Sequence, residues 1–231
     1  AAKTVSLSLG TENNRILIAF VTILNDATVS SITFNGVAMS TAKFQSNAEA
    51  AATRKNAGIY YLLNASLPSS GTYNLSVTPS KACYGGIACF YIYDATQEAP
   101  TTSGNSTTSS VTNWTNSIVT TKDDCFIVDV NSTNDRTFTP TSPQIEEFDF
   151  LDGTTAGQAI SRKTSSSAGS NGATTGHAQA STDPKFLLNC LLAQHKKLIT
   201  SNEFEKCSHE KRKIMNFQFK KIWNEENGIE L

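Results

Sequence analysis

Four carboxylates fall within seven residues at Glu146, Glu147, Asp149 and Asp152, and Gly153 follows them. Carboxylates at alternating strand positions beside a turn supply the hard oxygen ligands that Ca²⁺ takes, which makes Asp149 and Asp152 candidate ligands. The run lacks the full pattern of a calcium loop. The same charges on an edge strand would also serve to deter edge-to-edge pairing. Asp123-Asp124, ahead of Cys125, reads as a turn. A glycosidase would need two carboxyl groups at a set separation across a cleft, and nothing in the sequence picks out such a pair.

Other catalytic chemistry has little to work with. The three histidines, His177, His195 and His209, have no partner at metal-ligand spacing. There is no nucleophile elbow, phosphate loop or dinucleotide fingerprint. Serine is abundant, but a serine becomes a nucleophile only beside a placed base. The residues call for no cofactor.

Binding chemistry has more candidates. Trp114 sits in a polar stretch, and with Tyr60 and Tyr91 it would form a flat aromatic face on which sugars stack; the alternative is that the tyrosines are core. Five Asn-x-Ser/Thr sequons, at Asn64, Asn74, Asn105, Asn113 and Asn131, are possible glycosylation sites or the product of an Asn-, Ser- and Thr-rich composition.

These residues must be held by some framework. The chain has 231 residues, 39% hydrophobic and 17% charged, with a formal net charge of −1. Low charge with much Ser, Thr, Asn and Gly suits a β-rich extracellular protein. The near-neutral charge gives no electrostatic pull toward nucleic acid. No apolar run reaches the length of a membrane-spanning helix. Of the five cysteines, Cys83, Cys89 and Cys125 lie in apolar runs, where cysteine packs as a small hydrophobe. The odd count leaves one thiol unpaired within a single copy, and the redox compartment stays open. The start at Ala1-Ala2-Lys3 fits either a mature end left by leader removal or a start set by trimming.

Composition changes near residue 183. Residues 1–183 carry 10 Lys+Arg and 14 Asp+Glu; residues 184–231 carry 9 and 6. The first part alternates like strands. Thr4 to Leu9 places Val5, Leu7 and Leu9 on one face, and Arg15 to Leu24 is apolar on both faces, as a central strand covered on both sides would be. Asn35-Gly36 between two strand-like runs predicts a hairpin. Gly85-Gly86 marks a bulge or a close approach of backbones. Short strands with turn residues between them predict an all-β fold, an antiparallel two-sheet β-sandwich or barrel.

The second part predicts a short helical appendage, residues 184–231. Asp183 and Pro184 would open one helix, and a Thr200/Glu203 capping box a second through about Asn224. Phe204, Ile214 and Ile222 fall on the apolar stripe of that second helix. An αα-hairpin of this size would bury its stripe on the sandwich or on a neighbouring subunit. The basic run Lys206, Lys211, Arg212, Lys213, Lys220 and Lys221 is interleaved with glutamates, as on a solvated face.

Four segments, in order, resemble a jelly-roll-like β-sandwich module of bacteriophage structural proteins and secreted bacterial surface proteins. They are Asn14 to Ala19, Val29 to Met39, Ile59 to Asn64 with Pro68 to Thr78, and Ile87 to Asp94. The resemblance covers about residues 4–183 and is clearest before residue 100. It implies a sandwich of jelly-roll type and says little about function, because its motifs are turns and core positions.

Three functions follow as expectations. The first is a non-enzymatic structural subunit of a virion surface, of phage tail, fibre or decoration class, or of an extracellular filament. It would assemble with copies of itself or other subunits, using Thr4, Val5, Leu7 and Leu9 as an exchangeable strand and Phe204, Ile214 and Ile222 in the tail. The second is a glycan-binding or adhesion module. The third, with least support, is a polysaccharide-active enzyme. The first two place the chain on a virion or cell surface, or outside the cell.

Overall fold

A nine-residue run that is apolar on both faces needs cover on both sides, and this organises the molecule. In the computed structural model, the described residues are 2–24, 26–46, 55–107, 113–120, 122–123, 125–133, 139–140, 142–151, 157–165, 169–178, 185–192, 218–219, 223–224 and 229–230. Strand β2 (Ile16–Leu24) is buried at every position. It lies between β6 (Lys55–Leu63) and β8 (Tyr84–Ile92), antiparallel to both. β5 (Ser40–Ser46) continues this second sheet beyond β6.

The first sheet has the order β1-β7-β3-β4, from β1 (Lys3–Leu9), β7 (Gly71–Pro79), β3 (Val29–Phe34) and β4 (Val37–Ala38). It packs on one face of the second sheet. Val5, Leu7 and Leu9 from β1, Ile32 and Phe34 from β3, and Leu75 and Val77 from β7 meet Leu17, Ala19, Val21 and Ile23 from β2. The alternation read from Thr4 to Leu9 therefore holds, and so does the reading of β2 as a doubly covered central strand. The Asn35-Gly36 hairpin forms too, with φ of 49° and 78° at the two turn residues. Gly85 and Gly86 run in unbroken register with Ile23 and Thr22, so no bulge interrupts β8 against β2.

The expected two-sheet arrangement is thus built by β1 to β8, and strands β9 to β16 form two further sheets. The third sheet has the order β13-β14-β11-β16-β9, from β9 (Thr101–Thr107), β11 (Cys125–Thr133), β13 (Ile145–Leu151), β14 (Gly157–Ser165) and β16 (Lys185–Leu192). Its Phe126, Val128, Val130 and Ile160 pack on Ile16, Ile18 and Phe20, the other face of β2. The fourth sheet joins β10 (Asn113–Thr120), β15 (Gly169–Ala178) and β12 (Thr139–Pro140). Ile118 of β10 meets Cys125 and Ile127 of β11. Every strand pairing described is antiparallel.

The helical appendage is corrected where it is described. Lys185–Leu192 is a strand between β11 and β9, not the first turns of a helix. Six of its eight residues are apolar, and a short apolar run does not distinguish helix from buried strand by periodicity. Here strands on both sides satisfy its backbone. Gln218–Phe219 (β17) and Trp223–Asn224 (β18), inside the second expected helix, are extended and pair with β8; β18 also pairs with Ile229–Glu230 (β19). Among the described residues there is no α-helix, only one 3₁₀ turn at Asn64–Ser66. Phe204, Ile214 and Ile222 lie outside the described residues, as do Thr200 and Glu203.

Candidate functional site

A concave feature lies where β3 and β5 diverge. The chain leaves the Asn35-Gly36 turn as β4, which covers only Thr33 and Phe34 of β3. One more bond, from Met39 N–H to the Ile32 carbonyl at 3.1 Å, ends the pairing. The chain then crosses to the second sheet as β5. A groove of about 490 Å³ remains between β3 and β5, lined by Thr28 to Thr33, Ala38, Met39, Thr41, Phe44 and Tyr60. That volume is within the range of about 300–1,000 Å³ common for small-molecule and peptide-side-chain sites. Thr28 and five consecutive residues of β3 line it, so it follows the strand's edge and not one of its faces. Gly58 shapes the floor. A Cβ there would meet the Tyr60 ring at 2.6 Å and Phe44 at 3.1 Å, so only glycine lets the two rings settle over β6.

The expected aromatic sugar platform is not assembled. Tyr60 and Tyr91 are buried in the core between the first two sheets. Burial raises both hydroxyls above the ordinary tyrosine range. The Tyr91 hydroxyl donates to Glu12 Oε2 at 3.2 Å and accepts from Gly10 N–H at 3.1 Å, which ties the end of β1 to β8. Trp114 pairs through its backbone with His177, and its side chain lies outside what is described.

Among the sequons, Asn131 is completely buried and cannot carry a glycan in the folded protein. Asn64 accepts from Arg15 Nε at 3.0 Å and from Arg15 N–H at 3.2 Å, so its carbonyl oxygen is structural. Asn74 is exposed on β7 beside Ser6. Asn105 and Asn113 sit in β9 and β10 with their side chains outside the description.

The acidic run divides. Glu147 makes an ion pair with Arg162, whose guanidinium stands 5.9 Å over the Phe126 ring. Asp149 is opposite Ala159 in β13, its side chain undescribed, and Asp152 lies outside the described residues. No group of three or more potential metal-ligating side chains occurs among the described residues.

Sequence reading missed a buried polar network in the third sheet. Asp129 and Ser161 are both fully buried and face each other across β11 and β14. Asp129 Oδ2 accepts from Ser161 Oγ at 2.8 Å and from Gln144 Nε2 at 2.8 Å. Half-buried Lys163 is held below the ordinary lysine range by burial, with the Asp129 charge acting the other way. A serine hydrogen-bonded to a carboxylate has the elements of an activated nucleophile, but this pair has no exposed surface to offer a substrate. Its effect is to fix the register of β11, β14 and the segment before β13. The signal was there in outline, as Asp129 interrupts the apolar run from Cys125 to Val130.

Burial pushes the Cys89 thiol from its ordinary 9.0 up to about 12. The folded state then keeps its proton while the unfolded chain loses it. The associated stability is fully present below pH 9 and is lost as pH rises toward 12. Urea unfolding between pH 9 and 10 should show a loss of about 1 kcal/mol attributable to Cys89. In Cys89→Ala that slope should flatten; an unchanged slope would refute the assignment.

No protein-family model, curated protein or solved structure matches this chain.

Proposed function

We propose that the protein is a non-catalytic structural subunit of a virion surface, of phage tail, fibre or decoration class, or of an extracellular filament. The observation that carries this reading is the outer edge of β1. It is seven residues long, has β7 as its one paired strand among the described residues, and bears no charge from Thr4 to Leu9. Proteins that stay single usually blunt such an edge with charges, proline or a bulge. An unblunted edge is a template for a neighbouring copy's backbone.

The sandwich itself is of jelly-roll type in this reading. What supports it is the path of the chain, which crosses between the first two sheets from β1 to β2, β2 to β3, β4 to β5, β6 to β7 and β7 to β8. As a result β7 separates β1 from β3, the interleaving of a Greek-key path and not of a meander.

Deleting β1 would be a poor test, because Val5, Leu7 and Leu9 are core residues and their loss would unfold the sandwich. Thr4 and Ser6 point to solvent, so Thr4→Lys with Ser6→Lys charges the edge and spares the core. Light scattering and electron microscopy of the natural protein should show particles or filaments. The double variant should scatter as a single copy with an unchanged circular dichroism spectrum. A wild-type protein that stays a single copy at all concentrations would refute the reading. The alternative of a glycan-binding adhesion module now rests on Trp114, and Trp114→Ala tests it by retention on a glycan panel.

A further inference from the structure

We infer that the carboxy-terminal strands β17, β18 and β19 form a displaceable cap on the flank used for assembly, and that the partner they hold off is a second copy of this chain. The inference rests on the reading of β1 as an assembly edge and adds how that edge is regulated.

Two edges define the flank. β1 ends the first sheet, and β8 would end the second but for these short strands. The bond from Gly10 N–H to the Tyr91 hydroxyl joins the two edges at one end. Neither strand is blunted by its own residues. β8 has no charge and no proline in nine residues, and β1 has none from Thr4 to Leu9. β17 pairs with Cys89 and Ala88, and β18 pairs with Gly85 and Tyr84. Residues of β17 also come within 8 Å of β1, Cα to Cα. The carboxy-terminal strands therefore stand on β8 and beside the edge of β1.

Two features make them a cap and not a further layer of sheet. First, they stop growth. Beyond β18 comes β19, which is two residues long and carries Glu230. A very short, charged outermost strand is a way in which sheets deter a newcomer. Second, they are weakly held. Four of the nine β8 residues have a partner in β17 or β18, and the two pairings are out of step by one residue. Pairings this short supply few ladder bonds, so they open at far lower cost than a core strand.

A second copy brings a longer ladder in their place. Paired antiparallel about Leu7, two copies of β1 keep Val5, Leu7 and Leu9 on the core side and Ser6 and Ser8 on the other. The edge is thus self-complementary, as a symmetric pair of copies requires.

The test uses the full chain and light scattering over a concentration series. Tyr84→Cys with Asn224→Cys sets two thiols directly opposite each other, at a separation a disulfide spans. Diamide oxidises the pair by taking up its two hydrogens. The oxidised variant should stay a single copy at concentrations where wild type, given the same diamide, assembles. Dithiothreitol should restore its assembly. Phe219→Pro with Trp223→Pro removes two backbone donors from the cap and should lower the concentration at which assembly begins by roughly tenfold or more. Assembly that ignores the closed disulfide, failure of that disulfide to form, or an unchanged threshold in the proline variant would overturn the inference and leave assembly through β1 standing. If wild type and the proline variant both remain single copies, the cap falls together with the assembly reading.

Discussion

Phe20→Ala should lower the unfolding free energy by about 4 kcal/mol, as much as Phe34→Ala, when both are measured by urea denaturation. The two phenylalanines are fully buried on opposite sides of the second sheet. Phe34 fills the core shared with the first sheet. Phe20 stacks on Phe90 with ring centroids 5.8 Å apart, and Phe90 meets Phe126 of the third sheet edge-on at 6.4 Å. Removing either ring deletes a large apolar side chain and leaves a cavity that rigid sheets cannot close. The comparison is diagnostic. If the third sheet did not cover the second, Phe20 would face water and its truncation would cost well under about 1 kcal/mol. A small value for Phe20→Ala beside a large one for Phe34→Ala would therefore dismantle the stacked arrangement and leave the first sandwich intact.

Arg15→Ala should cost a similar amount, about 4 kcal/mol, for a different reason. Arg15 is only 7% exposed. Its guanidinium donates to Asn64 Oδ1, to the Gly10 carbonyl at 2.9 Å and to the Pro68 carbonyl at 2.9 Å. The fork thereby clamps the loop after β1 and the loop before β7 onto the start of β2. Gln97 extends the clamp, accepting from Asn64 N–H at 2.8 Å. Alanine would leave the Gly10 and Pro68 carbonyls without this donor, while Asn64 Oδ1 would keep only the backbone N–H of residue 15. Arg15→Lys should recover only a minor part, because one ammonium cannot serve three acceptors set out for a planar fork. Unfolding within about 0.5 kcal/mol of wild type for Arg15→Ala would show that the clamp is ornamental.

The clamp also shows what was legible in the sequence. Arg15 and Asn64 both belong to segments that carry the jelly-roll-like resemblance, yet they lie 49 positions apart, and no local pattern says that they touch. Strand alternation, the doubly apolar β2 and the Asn35-Gly36 turn could be read directly, because each depends on neighbours in sequence. Residues 185–192 could not. Six apolar residues in eight satisfy a helix and a central strand equally, and the partner strands β9 and β11 that decide the matter are about 55 to 90 positions away. The site residues failed in the same way. Tyr60 and Tyr91 have the chemistry of a sugar platform, and only the position of the first sheet turns both rings inward. The groove escaped notice because it is made by an early end: β4 is two residues long, and a short pairing leaves no mark in composition.

The burial of β2 on both faces bears on how the chain is made. Its strand partners β6 and β8 are synthesised about 40 and 70 residues after it, and β11, which covers its second face, about 110 residues after it. Pairings so distant in sequence are slow to form, since chain entropy must be lost before contacts repay it. Until β11 has emerged from the ribosome, Ile16, Ile18 and Phe20 form an apolar stripe with nothing to cover it. The newborn chain thus carries this stripe uncovered while about 110 residues are added after β2, so a chaperone that holds the chain over that interval should raise the yield of folded protein more than one that acts after release.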